Sequence, residues 1–201
     1  MLKSVAGRQV PFTPQQFPIR LSRRVGLRTM PSIGAKKAVA CPSGEQFVNG
    51  GFETGNFTGW TLSDPMDWEC TSAYQGQGPS EGKYHARSVS LEEVTATLEQ
   101  DFAIPIPVEC FKDTSIFSVD TQWYQLYPPP PSLSIWQVEI LYTDDTSTVL
   151  NLFADQKNVY VTHDLKALLE SGKTVKGIRV TVKRATGEYA GYYIDRCICS
   201  I

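Results

Sequence analysis

The sequence predicts an all-β fold, an antiparallel β-sandwich with one short helix and an extended N-terminal arm. Three observations predict it. Apolar and polar residues alternate at period two in several segments, as in Val94, Ala96, Leu98, Gln100 and Phe102 against Thr95, Thr97, Glu99 and Asp101. Turn-forming Gly, Asn, Asp and Pro break the chain at short intervals, as antiparallel connections require. Charge and proline content also change abruptly near residue 45, which divides the chain into an arm (1–45) and a sandwich (46–201).

The arm comes first. Residues 1–40 hold eight of the 19 Lys and Arg and none of the 21 Asp and Glu, so they carry +8 and the rest of the chain −10. Pro11, Pro14, Pro18 and Pro31 argue against a helix, so the stretch reads as an extended arm or a disordered tail. Arg8, Arg20, Arg23, Arg24, Arg28, Lys36 and Lys37 are its candidate partner-binding residues. It contains no apolar block of the length a secretory signal needs, and no segment approaches the roughly 20 apolar residues of a membrane span. Synthesis in the cytoplasm without a signal peptide is the expectation. Five cysteines (Cys41, Cys70, Cys110, Cys197, Cys199) are odd in number and lack knuckle spacing, which predicts mostly free thiols in a reducing compartment.

Strands are expected at Gln46–Glu53, Gly59–Ser63, Asp67–Tyr74, Lys83–Ser90, Val94–Ile104, Ser115–Tyr124, Leu133–Tyr142, Thr148–Phe153, Lys157–Thr162, Val175–Arg184 and Tyr189–Ser200. Ile178, Val180 and Val182 face the core opposite Arg179, Thr181 and Lys183. The short helix is placed at Asp164–Glu170, with Asp164 as N-cap and Gly172 beyond its end. Tyr127-Pro128-Pro129-Pro130-Pro131 is a stiff connection. Cys197 and Cys199 both face the core of the last strand.

Several separated motifs resemble those of carbohydrate-binding-module-like and galactose-binding-like jelly rolls, over about residues 46–201. They are Asn49-Gly50-Gly51-Phe52-Glu53 within the opening run, Gly82-Lys83-Tyr84, Ala96-Thr97-Leu98-Glu99-Gln100, and the closing Tyr192-Tyr193-Ile194-Asp195. The resemblance implies a jelly roll and a structural calcium held by Glu53 and Asp195, with carbonyls from Ser80–Lys83. Arg196 stands where the family often has a second acid, so a salt-bridged polar cluster is the alternative to the metal.

Catalytic signatures are weak. Gly78-Pro79-Ser80-Glu81-Gly82 fits a nucleophile pattern but lacks the strand before and helix after that lift the serine, so it reads as a loop. His85 and His163 read as surface or rim residues, and the chain is expected not to be an enzyme. Trp123 and Trp136 fall on core faces, leaving Tyr84, Tyr124 and Tyr127 as candidate ligand-binding platforms. Nucleic acid is disfavoured, because the arm lacks interleaved aromatics and the domain is acidic. The sequence therefore points first to a non-catalytic structural module, anchored through its arm to protein subunits of a large assembly such as a virus capsid, decoration or tail-associated protein. The alternative is a calcium-stabilised carbohydrate-binding module for a polysaccharide or cell-surface glycan.

Overall fold

A computed structural model of the chain describes residues 40–125, 134–152, 158–186 and 190–201. Ten strands run β1 (Thr61–Leu62), β2 (Trp68–Thr71), β3 (His85–Ser88), β4 (Thr95–Pro107), β5 (Ile116–Gln125), β6 (Ile135–Tyr142), β7 (Ser147–Asn151), β8 (Val161–Asp164), β9 (Thr174–Lys183) and β10 (Ala190–Ser200). They form two five-stranded sheets, one ordered β1-β4-β9-β6-β7 and the other β2-β3-β10-β5-β8. Every strand pairing within them is antiparallel. Interleaving of early and late strands places the last strand at the centre of the second sheet.

The period-two pattern is what sorts residues between core and outside. Ala96, Leu98, Val138, Ile140, Ile178, Val180 and Val182 of the first sheet are fully buried, and they meet Ala86, Phe117, Val119, Tyr192 and Ile194 of the second. Trp123 and Trp136 are buried as expected, and the Trp136 ring lies 5.2 Å from that of Tyr192 across the interface. Removal of this apolar surface from water is the main stabilising contribution to such a sandwich. No helix among the described residues is long and apolar enough to cross a membrane.

Three expectations are corrected. The Asp164–Glu170 segment is a single 3-10 turn, Lys166–Leu168, rather than an α-helix. Asp164 instead ends β8, its Oδ1 accepting the Lys166 N–H at 2.9 Å, and a seven-residue segment is too short to repay helix nucleation. Residues 46–53 form turns rather than a continuous strand. Asn49 and Phe52 have positive φ (54° and 57°), and Gly50 lies so close to the Cys197 carbonyl that a side chain there would collide with it. Phe47, Phe52 and Trp60 nevertheless anchor this run in the core, with ring centroids 5.8 Å (Phe47–Trp60) and 5.3 Å (Phe52–Trp60) apart. The amide of buried Gln100 bonds both the N–H (2.7 Å) and the carbonyl (2.9 Å) of Val48, doing for the turn what a neighbouring strand would do.

The third correction concerns cysteine. Cys41 and Cys110 form a disulfide, which joins the segment just before residue 46 to the turn after β4. Cys70, Cys197 and Cys199 are free thiols, the last two buried as small apolar groups. Sequence spacing held no sign of the pair, because 69 residues separate its members.

Candidate functional site

The outer face of the second sheet carries the polar chemistry of the domain. Register aligns Glu69, Arg87, Tyr193 and Gln122 across β2, β3, β10 and β5, with Asp195 opposite Asp120 further along and Tyr124 opposite Gly191 in the other direction. This face is covered by the segment between β2 and β3. Gln77 there accepts a hydrogen bond from Gln122 at 2.5 Å, and Ser80 and Glu81 bond to Asp195. Tyr160 closes over His85, with its hydroxyl 2.7 Å from Nδ1.

His85 is therefore fully buried, contrary to the surface or rim position expected for it. Burial disfavours its charged form and pushes its pKa down to about 4, so the ring is neutral at physiological pH. Tyr193 beside it (ring centroids 5.0 Å apart) is pushed up to about 12, again by desolvation. His163 lies partly exposed at the rim as expected, its Nε2 2.8 Å from the Thr121 hydroxyl.

Two clefts flank the covered centre. The first, at the Glu53–Asp195 end, has a volume of about 340 Å³ and is lined by Glu45, Glu53, Glu81 and Asp195 among others. Asp195 is fully buried, with Oδ2 accepting from Ser80 N (2.8 Å), Ser80 Oγ (3.0 Å) and Glu81 N (3.2 Å), and Oδ1 from Arg196 N (2.8 Å). Desolvation outweighs these bonds and raises its carboxyl to about 6. Glu53 accepts the N–H of Lys83 at 2.9 and 3.0 Å and of Tyr84 at 3.3 Å. Gly82 is required beneath it, since a Cβ would occupy the carboxylate's position.

These donors bear directly on the calcium expectation. A calcium ion takes six to eight oxygen ligands, whereas both carboxylates here face N–H groups, which repel a cation. Among the described residues, no group of three or more His, Cys, Asp and Glu is arranged to hold a metal. Asp195 and Glu53 are thus already bonded by N–H groups in this arrangement. Arg196 supplies the positive charge instead, through Asp120 (3.0 Å) and Glu81 (3.4 Å) rather than Glu53. The melting temperature is accordingly expected to stay unchanged on dialysis against EGTA; a fall restored by added calcium would return the cation to this cleft.

The second cleft, of about 250 Å³, opens at the Tyr124 end and is lined by Tyr74, Arg87, Ser88, Tyr124, Arg184 and Gly191 among others. The Arg87 guanidinium lies 3.4 Å from the centre of the Tyr74 ring and 2.6 Å from Glu69, so this cation is stacked and neutralised together. Tyr74 is 38% exposed, and Tyr124 is half-buried on the sheet beside Gly191. Gly191 has no side chain to fill this space, and an added Cβ would meet the Tyr193 hydroxyl at 2.8 Å. Aromatic surface, polar donors and an open floor thus come together at one end of the sheet.

Of the sequence candidates among the described residues, only Tyr124 joins this cleft. Tyr84 packs its ring over Gly55 and under Lys83 Nζ (4.9 Å from the ring centre), while Glu53 and Asp195 line the opposite cleft. Tyr127 and the arm cations Arg8, Arg20, Arg23, Arg24, Arg28, Lys36 and Lys37 lie outside the described residues. Tyr74, Arg87 and Arg184 went unrecognised. Alternation marked Arg87 as outward between buried Ala86 and Ser88, but nothing local joined it to a tyrosine 13 positions earlier or an arginine nearly a hundred positions later.

No protein-family model matches the chain, and neither does any curated protein. Solved structures do match. A family 61 carbohydrate-binding module in complex with β-1,4-galactotriose superposes with a TM-score of 0.54 at 15% identity, covering 77% of this chain and 97% of that one. The fold is that of a carbohydrate-binding-module-like β-sandwich. The xylan-binding domain CBM22-1 of Paenibacillus barcinonensis Xyn10C gives a TM-score of 0.45 at 13% identity (80% and 97% coverage). A family 16 carbohydrate-binding module gives 0.48 at 13% identity (78% and 99% coverage). At 15% identity the likeness to the family 61 module establishes the fold and assigns no ligand.

Proposed function

We propose that this domain is a non-catalytic glycan-binding module, with its ligand in the cleft between Tyr74 and Tyr124. The observation that carries the reading is the cleft itself: two tyrosine rings accessible to solvent, one backed by a stacked guanidinium, beside a floor kept open by Gly191. Pyranose rings present an apolar face to aromatic side chains and hydroxyls to polar ones, and both kinds of partner are present here. The fold shared with a galactotriose-binding module agrees with this. Between the two sequence expectations, assembly through the arm and glycan binding, the support falls on the second.

The candidate acid–base groups support a binding rather than a catalytic role. His85 and Asp195 are both fully buried under the covering segment and Tyr160, where a glycan in the cleft does not reach them. The Cys41–Cys110 bond suits an oxidising compartment, so we place the domain's work outside the reducing cytosol. In affinity electrophoresis through a panel of soluble polysaccharides, the full chain is expected to be retarded by at least one. Tyr124→Ala and Tyr74→Ala should each weaken that retention about tenfold, equivalent to roughly 1.4 kcal/mol, without loss of the β-sheet circular dichroism. Full retention by both variants would move the site elsewhere.

A further inference from the structure

The two guanidiniums of the Tyr74–Tyr124 cleft are not equivalent. Arg87 is already committed, paired with Glu69 at 2.6 Å and stacked on Tyr74. Arg184 continues β9 by one residue, its backbone carbonyl accepting the Glu93 N–H at 2.7 Å. Among the described residues, no carboxylate lies within ion-pair distance of the Arg184 side chain, whose Nε, like that of Arg87, is buried without a hydrogen-bond partner. The nearby Glu93 carboxylate is occupied by Lys183 at 3.0 Å and by the N–H and hydroxyl of Thr186 at 3.0 and 3.1 Å. The cleft wall therefore carries two positive charges against the single negative charge of Glu69. It does so in a stretch, residues 41–201, whose net charge is −10.

A buried guanidinium N–H without an acceptor is costly, and native structures retain few of them. Arg184 lines the cleft without an ion-pair partner among the described residues, so an anionic group brought by the ligand would meet a cation that no protein carboxylate neutralises. The guanidinium fork matches a carboxylate or a sulfate ester in a planar, two-point geometry that a neutral hydroxyl cannot reproduce. We infer that the cleft selects a glycan bearing an anionic substituent, which Arg184 receives while Tyr74 or Tyr124 stacks on the attached ring. This rests on the glycan-binding reading and specifies its ligand class. The acidic surroundings set the density of that charge. A polymer ionised at every residue meets the acidic residues around the cleft as well as its positive wall, whereas a largely neutral chain with scattered acidic substituents can place its charge at the wall alone. Glucuronic-acid branches on a neutral backbone have this chemistry.

The test uses the full chain and matched polysaccharides. Glucuronoxylan is compared with the same polymer after carbodiimide–borohydride reduction of its uronates to neutral sugars. A lightly sulfated galactan is compared with its desulfated form. Wild type is expected to bind one native polymer about tenfold more tightly than its neutralised counterpart. The pair that shows the difference identifies carboxylate or sulfate as the source. Arg184→Gln should erase that difference, while Arg184→Lys, retaining charge without the fork, should keep only part of it. Equal binding of native and neutralised forms by wild type overturns the inference and leaves the glycan-binding reading standing. A difference that survives intact in a folded Arg184→Gln protein overturns the role of Arg184. Absence of retention on these four polymers and the wider panel overturns both readings. The wild-type comparison decides the ligand class even if the variants fail to fold.

Discussion

Asp195→Ala is expected to lower the free energy of unfolding by about 3 kcal/mol, because hydrogen bonds to a charged acceptor contribute roughly 1.5–3 kcal/mol each and relief of desolvation offsets part of their loss. The carboxylate holds the segment between β2 and β3 through Ser80 and Glu81. That segment in turn covers His85, Tyr193 and Gln122 and presents Tyr74 to the cleft. The same substitution should therefore weaken glycan retention from a distance. In urea titrations the midpoint should fall at an unchanged slope; an unchanged midpoint would mean that the clasp contributes nothing.

The pH dependence of this site tests the same physics by sign. Asp195 titrates near 6 in the fold against an ordinary 3.8. The native state therefore binds more protons than the unfolded chain between those values, and stability from this group falls as pH rises through them. His85 titrates near 4 against an ordinary 6.5. There the unfolded chain binds more protons, and stability rises with pH over nearly the same window. The two contributions oppose each other, so the wild-type profile should be shallow between about pH 4 and 6. Asp195→Asn should leave the rise due to His85, and His85→Gln the fall due to Asp195. Identical slopes in the two variants would remove the assignment.

Reducing the Cys41–Cys110 bond is expected to cost about 4 kcal/mol. The bridge closes a loop of 69 residues that includes β1 to β4, and the chain-entropy relation for a loop of that length gives this size. Replacing Cys41 with serine should reproduce the loss without placing a hydroxyl in the core, since Cys110 is the buried partner. A thermal midpoint insensitive to reductant would show that the bond does not constrain the unfolded chain. These effects should add to those of Asp195, because the two sites share no partner.

The sandwich was legible because its signals are local. Alternation in Val94–Phe102 and Ile178–Val182 depends only on the side-chain period of an extended chain, and burial follows it: Ala96, Leu98, Gln100 and Phe102 point inward, and only Val94 at the strand entrance stays exposed. The capping signals at Asp164 and Gly172 were local as well, yet they misled. A side-chain bond from Asp164 to the Lys166 N–H serves a 3-10 turn as well as an α-helix, and the docking of Leu165 against the core decided between them. His85 was misread because its strand position marks it as outward, and outward ordinarily means exposed. Here a distant segment and Tyr160 lie over it.

The candidate site was legible in one residue of its set. Tyr124 was visible as an outward aromatic, while Tyr74, Arg87 and Arg184 stand on three separate stretches that only strand order brings together. What the amino-acid sequence by itself determined about this protein is its class: two faces per strand, turns at the glycines, and a basic first 40 residues before an acidic remainder. Which outward residues become a buried polar layer, which cysteines meet, and which N–H groups Glu53 and Asp195 accept from were decided only by the tertiary structure. The physical reason is range. Alternation and turn chemistry act over a few residues, whereas burial, charge pairing and disulfide closure join segments from 18 to 115 residues apart in the chain.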